Sequence, residues 1–114
     1  MDPSAETVRS SPLEDGTLVE PFGDIDLVRS PKLRAALSSA ASKKPRRLVI
    51  DLTAVQYMDS SGVATLVEAM QISRRNGTRM LITGLQPRVR SIIEIARLDT
   101  VFQIVATRDA ALKD

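Results

Sequence analysis

With 114 residues and a formal charge of +2, the chain fits one domain with a single core, and its charge gives little pull toward nucleic acid. It has no cysteine and no histidine, which removes disulfides, thiolate and imidazole chemistry and the usual zinc ligands. Only Tyr57, Phe22 and Phe102 are aromatic, so the core must be aliphatic and a base-stacking platform lacks material.

The opening residues Met1 to Glu6 carry neither the basic nor the apolar region of a secretory leader. No apolar run approaches the roughly 20 residues that span a bilayer, so the chain reads as cytoplasmic, without membrane insertion. Residues 1–15, with Val8 and Leu13 as isolated apolar positions, read as a loose segment or a weak edge strand, and 16–114 as the folded domain. Gly16 to Glu20 predicts a strand that Pro21 limits, because proline donates no ladder hydrogen bond. Phe22 to Asp26 reads as a turn. Ser30 and Pro31 then read as a helix N-cap and a proline at the first helical position, ahead of an apolar face of Leu33, Ala36, Leu37 and Ala40.

Arg47 to Leu52 is nearly continuous in aliphatic residues, as expected of a central strand covered by helices on both sides. The next helix carries Val63, Leu66, Val67 and Met70 on one stripe and stops at Gly77, which suits a left-handed C-terminal turn. The clusters at 43–47 and 74–75 read as cations at helix C-termini. Met80 to Thr83 predicts a strand, and Pro87 opens a helix with Val89, Ile92, Ile93 and Ala96 on one stripe. Ile95 and Leu98 fall off that stripe, leaving surface for a partner or a weak homodimer. Val101 to Val105 predicts the last strand, and Thr107 caps a short terminal helix. Alternation of this kind implies an α/β sandwich, with a central mixed sheet of about four to five strands and about four helices.

Chemistry concentrates at Asp59, Ser60, Ser61 and Gly62, where a strand ends and a helix begins. A serine there can be a cap, a nucleophile or a phosphate acceptor. Without histidine the nucleophile role falls away, while capping and phosphorylation are compatible. No Gly-rich phosphate loop is present, so an enzyme is not expected. Gly62 opens the backbone to an approaching partner or serves packing. Asp26 can form a turn by bonding its own backbone.

The stretch from Asp51 to Leu66 resembles the STAS domain family, and within it the anti-sigma factor antagonists. Gly23 Asp24 Ile25 Asp26 is similar to the family's turn ending in aspartate, and Ala96 to Phe102 to its last helix and strand. The likeness covers roughly residues 16–112, with the leading strand and Pro21 as departures. The resemblance implies a STAS-type sandwich and a switch protein, with no catalytic residue, cofactor or metal site. Unphosphorylated at Ser60, it would bind an anti-sigma factor serine kinase and release a sigma factor. Phosphorylation would break that complex, and a metal-dependent serine phosphatase would restore it. Asp26, Asp59, Ser60, Ser61 and Gly62 would form the partner-binding surface. A STAS subunit of a lipid-transport ABC system and a stressosome-like scaffold share the same signature.

Overall fold

A computed structural model describes residues 8–113, so the part of the expected loose segment at 1–7 lies outside the described residues. Strands β1 (Val8–Leu13) and β2 (Gly16–Pro21) form an antiparallel hairpin, from Leu13 opposite Gly16 to Val8 opposite Pro21. Residues 8–13 are thus an edge strand of the sheet. Pro21 lies beyond the stretch of β2 paired with the next strand, which runs from Gly16 to Val19, so its missing N–H interrupts nothing there.

Helix α1 (Ser30–Ser42) leads to β3 (Arg47–Asp51), and α2 (Ser60–Asn76) to β4 (Arg79–Thr83). After α3 (Pro87–Ile95) come β5 (Gln103–Val105) and α4 (Arg108–Lys113). The strands lie side by side in chain order, and every pair except β1 with β2 is parallel. Parallel neighbours need a crossover, which each intervening helix supplies. Among the described residues, the order is the expected alternation with the leading strand added at the edge, giving a mixed sheet of five strands with four helices.

Alternation along the strands divides the core. Val19, Leu48, Ile50, Met80 and Ile82 pack with Leu33 and Leu37 of α1, Leu66 and Ala69 of α2, and Val89 and Ile93 of α3. Leu18, Val49 and Leu81 form the other, smaller cluster with Ala111 of α4. So short a helix cannot hold itself in water. Arg47 steadies it by donating to the carbonyls of Ala111 and Leu112, at 2.8 and 2.7 Å, and Arg108 reaches Glu20 at 3.0 Å. Among the described residues, no helix is long and apolar enough to cross a membrane.

Three local expectations change. Ser30 is already the first helical residue of α1 and makes no side-chain cap; its N–H donates to the Asp26 carbonyl at 2.8 Å. Val101 lies in a turn that returns to Leu98, so β5 begins only at Gln103. Arg47, expected to solvate a helix end near it in sequence, instead serves the C-terminus of α4. Gly77 ends α2 at φ 72°, as its position suggested, and Thr107 caps α4 by accepting from Ala110 N–H at 3.1 Å. Replacing Arg47 with Ala should therefore fray α4. For a net loss of about 1 kcal/mol, amide exchange across Arg108–Lys113 should rise roughly fivefold in hydrogen-exchange mass spectrometry while β3 stays protected.

Candidate functional site

Beyond the C-terminal ends of β2 and β3, two loops run side by side. The N–H of Ile25 donates to Tyr57 O and that of Asp59 to Ile25 O, both at 3.0 Å, closing a small parallel bridge between Ile25 and Met58. Gly23 N–H adds a 3.0 Å bond to Ala54 O. From the α3 side, Gln86 donates to Thr53 O at 2.8 Å and Arg88 stacks over the Tyr57 ring at 5.6 Å. Ile25 and Met58 point into the core, which anchors both loops under the start of α2.

Asp59 occupies the capping position of α2, with an extended backbone at φ −96° and ψ −172°. Its Oδ1 accepts from Ser61 N–H at 2.9 Å, from the Ser61 hydroxyl, and weakly from Gly62 N–H at 3.4 Å. The Ser61 hydroxyl above all, with these N–H groups, holds the Asp59 carboxyl below its ordinary value of 3.8, against the opposing push of burial. The positive end of the helix dipole has the same sign of effect.

Ser60 is the first residue of α2, not its cap. The expectation that Ser60 caps the helix gives way because the preceding carboxylate already takes the free N–H groups. The Ser60 side chain is exposed, and among the described residues its hydroxyl has no hydrogen-bond partner. Ser61, by contrast, is tied to Asp59. Gly62 is buried: a Cβ there would overlap Met58 Cγ and lie 2.9 Å from Ile25 Cγ2. Its missing side chain lets α2 sit down on the loop bridge, so the expected opening toward a partner is not there. Asp26 folds onto its own turn, with Oδ1 accepting from Val28 and Arg29 N–H at 3.1 and 3.0 Å and Oδ2 pairing with Arg29 at 2.9 Å. That is the turn-forming alternative, and the Ile25 to Met58 bridge sets this turn beside Asp59. Among the described residues, no group of three or more Asp, Glu, His or Cys side chains is arranged to hold a metal.

The STAS domain family profile matches residues 5–111. The chain belongs to the STAS domain family. It is 35% identical over 82 residues to the anti-sigma-B factor antagonist of Listeria monocytogenes, covering 72% of each chain. The crystal structure of an anti-sigma factor antagonist from Mycobacterium paratuberculosis superposes with a TM-score of 0.86 at 28% identity, covering 98% of this chain and 95% of that one. A candidate sulfate transporter of Bacillus subtilis, YvdB, is 32% identical over 72 residues, which are 63% of this chain and 13% of the transporter. The antagonists among these relatives are regulatory binding proteins rather than enzymes.

In this STAS domain, two surface residues beside the serine escaped sequence reasoning: Leu27 and Val28, 76% and 82% exposed. Their signal was an apolar pair between Asp26 and Ser30 that belongs to no strand and no helix stripe. The cap has a measurable consequence. Asp59→Ala should destabilise the domain by about 1 kcal/mol near neutral pH. Because folding lowers the Asp59 pKa, this contribution is complete above 3.8 and is lost as pH falls through the lower folded-state value. The stability gap between wild type and Asp59→Ala, followed by chemical denaturation, should therefore close on acidification. A gap independent of pH would contradict the charged cap.

Proposed function

We propose that this STAS domain is a phosphorylation-switched anti-sigma factor antagonist of the cytoplasm. Unphosphorylated, it docks on an anti-sigma factor that is a serine kinase and so frees a sigma factor. Phosphorylation of Ser60 ends the complex, and a metal-dependent serine phosphatase restores it. The observation that carries this reading is the Ser60 hydroxyl itself, exposed at a helix mouth whose capping is done by Asp59. A hydroxyl with no structural duty can be modified without unfolding what it stands on.

Magnitudes favour a switch at the docking surface. A phosphate adds about −1.5 to −2 charge at neutral pH, and a helix N-terminus returns only about 0.3–1 kcal/mol for a nearby anion. Covering that charge with a partner, without a matched cation, costs on the order of several kcal/mol. The penalty outweighs the gain, so a phosphorylated Ser60 is tolerated in the free domain and rejected from the complex. Asp59 adds like-charge repulsion next in the chain. Asp26 supports the surface by holding its turn, while Gly62 supports it from beneath.

The transporter-associated branch of the family is the second reading, and the likeness to YvdB favours it. There the domain would act as a scaffold beside a permease, with no kinase. Incubation with the cognate kinase and ATP separates the two. Intact mass should show one added phosphate on wild type and none on Ser60→Ala, and Ser60→Asp should lose the complex in a pull-down. Unchanged phosphorylation of Ser60→Ala would move the site elsewhere.

A further inference from the structure

We infer that Leu27 and Val28 are the apolar anchor with which the unphosphorylated protein grips its anti-sigma factor, and that Asp26 is the positioning residue holding this anchor on the turn beside Asp59. The inference rests on the Ser60 reading above and names what supplies affinity there. Single exposed apolar residues are ordinary on protein surfaces. This pair differs in being contiguous, almost fully exposed and set on a loop with little freedom.

Three successive N–H groups fold back onto Asp26: those of Val28 and Arg29 donate to its Oδ1, and that of Ser30 to its carbonyl. The Arg29 guanidinium closes the turn on Asp26 Oδ2 at 2.9 Å. The turn so formed presents the Leu27 and Val28 side chains outward, in an arrangement that exists before any partner arrives. Pre-ordering of this kind removes part of the entropic cost of association.

The occupant follows from the link to Ser60. Ile25, two residues before Leu27, accepts from the N–H of Asp59, the residue that precedes Ser60, at 3.0 Å, so a kinase whose active site reaches the hydroxyl also covers the anchor. Leu27 and Val28 make an apolar centre, with Asp24, Arg29 and Ser60 as exposed polar neighbours, the arrangement typical of docking patches. The partner is thus the anti-sigma factor kinase, with an apolar pocket beside its catalytic cleft. Affinity and switching then fall on different residues: the pair holds the complex together, and the charge state of Ser60 decides whether it forms.

Binding of purified, unphosphorylated variants to the cognate kinase by isothermal titration calorimetry tests the division. Leu27→Ser combined with Val28→Ser should weaken binding roughly 10- to 100-fold, since two large apolar contacts are lost. Ile95→Ser, at an apolar residue 83% exposed on α3, should bind as wild type. In the phosphorylation assay the double variant should raise KM and leave kcat unchanged, because neither residue touches the reacting hydroxyl. Asp26→Ala should weaken binding, and Asp26→Asn, which keeps an acceptor oxygen for the Val28 and Arg29 N–H groups, should recover most of it. Wild-type affinity in the double variant, with Ser60→Asp still unable to bind, would overturn the anchor and leave the Ser60 reading standing. Failure of wild type to bind the kinase at all overturns both. A change in self-association with unchanged kinase binding would assign the patch to a second copy and also overturn it.

Discussion

One residue joins the two loops on which the candidate site is built. The Asp59 carboxylate accepts from the first turn of α2 through Ser61 and Gly62, and its N–H donates to Ile25 O of the neighbouring loop at 3.0 Å. A helix start leaves N–H groups without intrahelical partners, and a buried or half-buried start must satisfy them. Because Asp59 does this from the capping position, Ser60 is left with no structural role for its hydroxyl. Because the same residue bonds Ile25, the Asp26 turn that carries Leu27 and Val28 is held beside the helix start. The core beneath is equally committed: Gly62 packs where no side chain fits, against Met58 and Ile25.

A rigid platform with one unengaged hydroxyl is suited to regulation by charge. Conformational switches need an element with two competing arrangements, and none is required here. On the proposed reading, a phosphate on Ser60 would stand where the domain tolerates an anion and where a covering partner does not. The proposed division, with affinity from Leu27 and Val28 and control from Ser60, would let the two vary independently without rebuilding the fold.

Much of this was legible in the chain because periodicity and turn chemistry agreed with the fold. The continuous apolar run at β3, the stripe on α2 and the stop at Gly77 each depend on local rules, and each appears where those rules put it. The helix mouth was harder. Asp59, Ser60 and Ser61 are all good capping residues, so propensity does not choose among them; the extended backbone of Asp59 does. Arg47 was misread because its partners, Ala111 and Leu112, lie far along the sequence. Leu27 and Val28 fall outside every periodic element, and periodicity does not say that the Asp26 turn sets them facing outward.

The capping grip of the Asp59 carboxylate is tested most directly by a two-dimensional NMR titration of the amides from about pH 6 to about pH 2. The Ser61 and Gly62 resonances should shift together with one common midpoint below 3.8, the ordinary aspartate value. Separate midpoints for these two amides, or a common midpoint at or above 3.8, would contradict the charged cap on which the free Ser60 hydroxyl depends.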